Sequence, residues 1–482
     1  MGDRNFNAML KKAEEVGEFL REEANKNSKF TVVTHFDADG LASGGVFGKA
    51  LIRLGASFQV RVIEQLDEDS LRKVLNLKGD VIIFSEIGSG YLSLISSASK
   101  KKKILIVDHH QPEACPKEDP RLLHLNPHDY GFDGAKEISG AGMAYLVAKE
   151  LDERNLDLSP LAVVGALGDV QDKNQDRSLK GLNEKIVEEG RKAGYIKAEV
   201  DLILHGRRTK PIHKALAHST NPFLPGLSGE EDNCVSLLSS IGIPLKHDGG
   251  WVKVSDLSMD EKKKLLTKII EYISSRGFPG SVALNLIGTN YEVLGEGDPL
   301  ADAREYAFVL NACGRMGKSG LGIALCLGDR GEALLETRRL ISEYRHLLAE
   351  YMAWIAQSPD KVQEYPRFYA IRGEGIIKEK MTGAISTMLV SSTTFKPSKA
   401  VMVLALSEGG GIKISARAPP SFSEKKINLG AILKTCSEKF YGLGGGHDLA
   451  AGAYLPGGID VEEFLKAVDE EISKGIKNEG NN

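Results

Sequence analysis

A chain of 482 residues is too long for one hydrophobic core, and its size implies roughly two to four domains. Its apolar content of 42% is ordinary for a globular protein, and no apolar run reaches the ~18 residues of a membrane span, so no membrane role is expected. A formal charge of −4 gives a nucleic acid no global attraction, so any such partner needs a local basic surface.

In chain order, residues 5–27 place Met9, Ala13, Val16, Phe19 and Leu20 at helical spacing, a charged lead-in helix unlike a signal peptide. The cysteines at 115, 234, 313, 326 and 436 form no C-x-x-C pair. That argues against structural zinc or a disulfide framework and for a reducing, cytoplasmic setting. The β-branched run Thr31–Thr34 predicts a buried strand. The turn His35-Phe36-Asp37-Ala38-Asp39-Gly40 follows, then a helix that Gly55 stops. If extended geometry continues through the turn, the Asp37 and Asp39 carboxylates share one side. The plainer alternative is a polar strand-to-helix turn with an Asp cap. Further strands are expected at 58–63, 80–84 and 104–107, with a helix at 67–77. This alternation predicts a parallel sheet with right-handed crossovers, its strand ends along one edge. Asp37 and Asp39, Glu86, and Asp108-His109-His110 all fall at such ends, and a fourth acidic strand end is expected over Leu161–Asp169. Carboxylates with imidazole suit Mn²⁺ or Mg²⁺, and this many ligands suit two metals.

These stretches resemble the DHH phosphoesterase superfamily and, within it, the RecJ-type exonucleases. The resemblance rests on His35-Phe36-Asp37-Ala38-Asp39-Gly40, Val107-Asp108-His109-His110, Ser139-Gly140-Ala141-Gly142 and Gly165-Ala166-Leu167-Gly168-Asp169. It implies Asp37, Asp39, Glu86, Asp108, His109 and Asp169 as metal ligands, with His35 as a further ligand or outer partner. Catalysis would fall to Asp108, His109 and His110, with His110 contacting the scissile phosphate. One motif departs: Glu86 stands where the family usually has Asp, which carries its carboxylate about 1.5 Å further.

Residues 201–300 resemble the insertion of archaeal RecJ-like proteins, related to a module of the eukaryotic replicative-helicase component, which suggests the GINS complex of the replisome as partner. Read from residues alone, 201–260, rich in His, Arg, Lys and Pro, is a solvated insertion whose His205, His213 and His218 are not expected as ligands, the alternative being a strand-guiding or partner-docking surface. Asn311-Ala312-Cys313-Gly314-Arg315 resembles the RecJ N-A-x-G-R segment, with Arg315 offering a guanidinium to phosphate. Ser415-Ala416-Arg417 resembles a phosphate-contacting segment. The loop Gly442–Gly452 carries the signature of the DHH-associated domain, in which Gly444, Gly445, Gly446 and His447 would meet substrate phosphate.

The expected fold is α/β. A parallel-sheet DHH domain spans 1–200 and is completed by 301–328, with an inserted α/β module at 201–300. A connector helix at 329–360, a smaller C-terminal α/β DHH-associated domain at 361–475 and a flexible tail at 476–482 follow. The implied activity is a metal-dependent, single-strand-specific DNA exonuclease, 5′ to 3′, with RNA as a further substrate. It would work in replication or repair, with two divalent metals in a cleft between lobes too narrow for a duplex. Two other classes stay open: a catalytically weak replisome scaffold, and an oligoribonucleotide or cyclic-dinucleotide phosphodiesterase.

Overall fold

Runs of Val, Ile and Phe bounded by turns form the first sheet. It is seen in a computed structural model that describes residues 2–98, 102–113, 121–219, 222–392, 395, 396 and 398–479. Strands β1 (Phe30–His35), β2 (Phe58–Ile63), β3 (Val81–Ser85), β4 (Lys103–Val107) and β5 (Leu122–Leu125) are all parallel, in the order β2-β1-β3-β4-β5. The associated helices are α1 (Gly2–Asn25), α2 (Ala38–Arg53), α3 (Glu68–Leu75), α4 (Leu92–Ala98), α5 (Gly140–Leu151), α6 (Ser159–Gly168) and α7 (Leu182–Lys192).

Four of the five strands match the expected ones. The four-residue β5 was not foreseen, because Leu-Leu-His-Leu is too short to show alternation. The segment expected as a strand ending at Asp169 is the helix α6. Pro160 opens it, and an apolar run buried on every side cannot be told from a buried strand by periodicity. The extended geometry considered for Asp37 and Asp39 also fails. β1 stops at His35, Asp37 caps α2, and Asp39 lies in its first turn.

The chain continues as β6 (Ile196–Leu202), α8 (Ile212–Ala217), α9 (Glu231–Ser240), β7 (Lys246–His247), β8 (Gly250–Trp251), α10 (Met259–Ser274) and β9 (Ile287–Val293), with β6 and β9 pairing as an antiparallel ribbon. His213, expected to be solvated, is 6% exposed and lies 5.2 Å from the Trp251 ring. Then come α11 (Ala303–Arg315), α12 (Ser319–Leu327) and the long α13 (Glu332–Gln357). Compact packing divides the chain into one unit of residues 1–215, 235–268 and 284–341, and a second of 216–234, 269–283 and 342–482.

The second unit contains a six-stranded sheet in the order β10-β11-β12-β13-β15-β14. Its elements are β10 (Val362–Glu364), β11 (Phe368–Arg372), α14 (Thr382–Ser391), β12 (Ala400–Leu406), β13 (Ile412–Arg417), α15 (Pro420–Glu424), α16 (Leu429–Lys439), β14 (Leu443–Gly446), β15 (Ala450–Leu455) and α17 (Val461–Glu479). Met402, Leu404, Ile414, Ala416 and Ala453 turn to one face and pack against Leu433, Phe464 and Val468. The glycine stretch read as a loop is the hairpin β14–β15. Helix α17 runs through part of the expected tail, while residues 480–482, like Cys115, lie outside the described residues.

Candidate metal centre and phosphate face

Parallel register sets the centre. Thr34 pairs with Ser85 and Ser85 with Val107, so the next residues of the three strands, His35, Glu86 and Asp108, emerge side by side. Val107 pairs with Leu125, which adds Asn126 to the row. Two helix ends complete it. Asp39 accepts from the Gly140 and Ala141 N–H groups at 2.6 and 2.9 Å, at the N-terminus of α5 where the helix dipole favours a carboxylate. Asp169 caps the C-terminus of α6.

Three overlapping groups of possible ligand atoms result, each within 4.8 Å: His35, Asp37 and Glu86; Asp39, His109 and Asp169; and Glu86, His109 and His110. His35 Nδ1 is 2.9 Å from Asp37 Oδ2 and 3.8 Å from Glu86 Oε2. His109 Nδ1 meets the Gly134 carbonyl at 2.7 Å, so that nitrogen carries the proton. Its Nε2 points at Asp39 Oδ2 and Asp169 Oδ2, both 3.5 Å away. Asp108 belongs to none of the three groups. Its Oδ2 accepts from the Ser89 N–H at 2.8 Å and its Oδ1 faces His110 Nδ1 at 2.9 Å, which aims His110 Nε2 outward, 3.9 Å from Glu86 Oε1.

Electrostatics follow from crowding. Burial, then the Asp37, Asp39, Asp169 and Asp108 charges, push the Glu86 carboxyl well above the usual range. Burial and the Asp39 and Asp37 charges do the same to Asp169. Burial also raises Asp39, against the pull of His109 and the Ala141 N–H. At Asp108 burial is outweighed by His110, which holds the carboxyl below its ordinary value; the same contact raises His110 despite burial. Two buried atoms, Glu86 Oε2 and His109 Nε2, have no hydrogen-bond partner. Polar atoms so buried are normally satisfied, and a divalent cation fits both the orphaned atoms and the oxygen-plus-imidazole donor set.

Glycines make the crowding possible. A Cβ on Gly165 would lie 2.2 Å from Asp39 Oδ1, and one on Gly140 would lie 2.6 Å from Glu86 Cβ and Cγ. Sequence reasoning missed the supporting shell. Asn126 donates to Ser89 Oγ at 2.8 Å and to the His110 carbonyl at 2.9 Å. Gln171 donates to the Gly134 carbonyl that holds His109. The dipeptide Asn126-Pro127, a turn signal in its own right, was the available signal. Asn311 accepts from the Ala38 N–H at 3.2 Å, which ties the segment ending in Arg315 to the start of α2, with Arg315 itself half-buried at the end of α11.

In the second unit, strand pairing puts Lys413, Ser415 and Arg417 on the face opposite the core. Ser415 Oγ is 2.8 Å from Thr382 Oγ1, and Arg417 Nε donates to Thr387 Oγ1 at 3.1 Å. Both lie beside Gly383, in the first turn of α14, whose N-terminus has no side-chain cap. That arrangement offers an anion N–H groups, hydroxyls and a guanidinium together. Gly444, Gly445 and Gly446 form the edge strand β14, and His447 is exposed in the turn after it.

Residues 29–168 match the DHH family, N-terminal domain, residues 204–287 the DHH-CID domain, and residues 369–474 the DHHA1 domain. An uncharacterized protein of Methanocaldococcus jannaschii is 32% identical over 473 residues, which are 97% of this chain and 99% of that protein. The single-stranded-DNA-specific exonuclease RecJ of Thermus thermophilus is 26% identical over 193 residues, 38% of this chain and 27% of RecJ. The crystal structure of RecJ in complex with Mn²⁺ from that organism aligns over 96% of this chain and 55% of its own, with a TM-score of 0.57 and 18% identity. CDC45 from Entamoeba histolytica aligns over 96% and 99%, with a TM-score of 0.64 and 12% identity. This chain therefore covers only part of RecJ, and the structural likenesses speak to fold. With three family domains in order and a relative matched end to end, the chain belongs to the DHH superfamily as a RecJ-like protein.

Proposed function

We propose that this protein is a divalent-metal-dependent phosphodiesterase that removes nucleotides from single-stranded DNA, 5′ to 3′. The observation that carries the reading is His109. Its Nδ1 proton is committed to Gly134, and its buried Nε2 faces two carboxylates with no partner of its own. A divalent cation held by these groups would resolve the arrangement.

His35, Asp37 and Glu86 would hold one metal, and Asp39, His109 and Asp169 the other; Glu86 also groups with His109 and His110. Mn²⁺, which a RecJ structure carries, is the first choice and Mg²⁺ the second. The chemistry such a pair supplies is Lewis-acid activation of water and of the phosphoryl group. The chain's own part is positional. His110, aimed by Asp108, donates from Nε2 to the scissile phosphate as charge develops there. Asn126 and Ser89 hold that loop in place. In the second unit Ser415, Arg417 and the start of α14 take a phosphate of the strand, with Gly444–Gly446 and His447 as further contacts there, and in the first unit Arg315 is a further phosphate contact.

The fold likeness to CDC45 and the DHH-CID match support a place in the replisome, with GINS as the proposed partner. They also favour a second reading, a scaffold that binds metal without turnover.

Hydrolysis of a long single strand labelled separately at each end, with Mn²⁺ or EDTA, tests both. Metal-dependent release of mononucleotides from the 5′ end, lost in His109→Ala and His110→Ala, is expected. Activity confined to two-to-five-nucleotide RNA refutes the exonuclease. No release from folded, metal-loaded protein leaves the scaffold.

A further inference from the structure

Helix α16 ends in an uncommon way. Tyr441, the residue after its C-cap, has φ of 59°, the left-handed region where helix ends ordinarily place glycine. The Gly442 N–H closes on the Ser437 carbonyl at 2.8 Å, so a glycine at 441 would serve the same termination with less strain. Nor does packing explain the choice. Tyr441 is 88% exposed, more than any other large apolar side chain among the described residues. A strained backbone that presents an unburied aromatic ring points to a ligand.

The middle of the β14–β15 face beside it is glycine. A Cβ on Gly445 would meet nothing within 4 Å, and one on the facing Gly452 would meet only the Ile414 carbonyl at 3.4 Å and Lys413 Nζ at 4.0 Å. Register places Leu443, Gly445, Gly452 and Tyr454 on the same face as Lys413, Ser415 and Arg417, with Tyr454 between Leu443 and Lys413. The result is a glycine trough with an apolar edge at Leu443, which is 54% exposed, and cations along the other side. Cations over exposed backbone with an aromatic ring at the end suit a polyanion whose units carry π faces. An acidic peptide would satisfy the cations and leave the ring without a partner.

We infer that Tyr441 is a stacking platform for a nucleobase of the single strand, whose backbone follows the Gly445–Gly452 trough toward Lys413 and Arg417. Strand β14 begins only at Leu443, so Tyr441 lies in the turn before it, and the base is assigned to a different nucleotide from the one whose phosphate lies at Arg417. The inference rests on the single-strand reading above and adds to it the contact that senses bases.

The test is binding by the full chain, with Ca²⁺ as the metal, of an oligothymidylate and of an abasic strand of equal length. Tyr441→Ala is expected to weaken oligothymidylate binding roughly 5- to 150-fold, the range for one stacked base, and to leave abasic binding unchanged. Tyr441→Phe keeps both. Tyr441→Gly loses oligothymidylate binding while raising Tm, which separates the ring's role from a structural one. Equal oligothymidylate affinity in wild type and Tyr441→Ala overturns the stacking alone. An equal loss on the abasic strand overturns the base contact. A wild-type protein that binds neither strand overturns the single-strand reading and the stacking with it.

Discussion

Gly165→Ala isolates the metal centre from the fold. In an ordinary helix interior this change is favourable by about 1 kcal/mol. Here the new Cβ would lie 2.2 Å from Asp39 Oδ1, 2.6 Å from Ala141 Cβ and 3.2 Å from Ser139 Oγ. Real Cβ contacts do not come under 3.0 Å, so Asp39 or α6 must move by about 0.8 Å. Overpacking of this kind costs about 1–3 kcal/mol, which leaves a net loss of roughly 0–2 kcal/mol and a Tm change of a few degrees. The movement itself matters more. Asp39 is tied to the Gly140 and Ala141 N–H groups at 2.6 and 2.9 Å, so relief either pulls the carboxylate off α5 or spreads α5 from α6. Both take Asp39 away from His109 Nε2, now 3.5 Å distant. Divalent-cation affinity, measured by calorimetry, should fall at least about 10-fold, and nuclease activity with it. Gly17→Ala is the control, since its Cβ would find its nearest neighbour at an ordinary 3.6 Å. A folded Gly165→Ala protein, checked by circular dichroism, that binds Mn²⁺ as tightly as wild type refutes the reasoning.

Mn²⁺ at 100 times its Kd should stabilise the protein by about 2.7 kcal/mol per site in urea unfolding, with EDTA reversing the gain and His109→Ala reducing it. No stabilisation would mean the cluster holds no cation. Glu86→Asp should fold, because Asp tolerates left-handed backbone better than Glu at φ 63°. Its carboxylate retreats about 1.5 Å, and calorimetry should show one of two cations bound at least about 10-fold more weakly. Glu305 gives a pH dependence outside the centre. Burial and the Asp302 charge raise it to about 7 from 4.5, against a 2.6 Å bond from Thr209. Between those values the folded protein keeps a proton that the unfolded chain releases, so stability falls as pH rises through the window, by about 3 kcal/mol in all. Glu305→Gln should therefore gain up to about 3 kcal/mol at pH 8 and nothing at pH 4; an equal gain at both would exclude the titration.

The sheet and its reactive edge were legible because β-branched runs report buried strands, and acids or histidines immediately after them report strand ends. Asp37, Asp39, Glu86 and His109 all proved to share one cluster for that reason. Asp169 joined the same cluster although its element was misassigned. An apolar strand and an apolar buried helix look alike, yet both deliver their last residue to the same place. What local sequence could not show is who needs room. Gly165 and Gly140 are visible as glycines, but only the tertiary structure shows that one clears Asp39 and the other Glu86. The same holds for Asn126 and Gln171, polar residues whose burial depends on partners 16 to 37 positions away. The division of residues 201–300 between two compact units is likewise a matter of long-range packing, with no composition break to mark it.

Glutamate at 86 bears on whether the centre works. The longer side chain is accommodated on purely steric grounds, because the space for its Cβ and Cγ is the space Gly140 leaves empty. Its N–H still bonds to the Val107 carbonyl at 2.9 Å, so the strand register carries on to residue 86 undisturbed. The backbone turns left-handed there, which directs the carboxylate toward both His35 and His110. Energetically the cluster is a burden to the fold. Glu86, Asp39 and Asp108 are almost wholly buried, with Asp37 and Asp169 beside them and His109 Nε2 unsatisfied. Apolar side chains of similar volume would cost less. A cluster that never bound metal would carry that cost without return, whereas bound divalent cations would turn the same repulsion into binding affinity. The geometry around Glu86 is therefore that of a ligand given room, which speaks for a bound cation in the hydrolase and the scaffold alike and leaves turnover as what separates them.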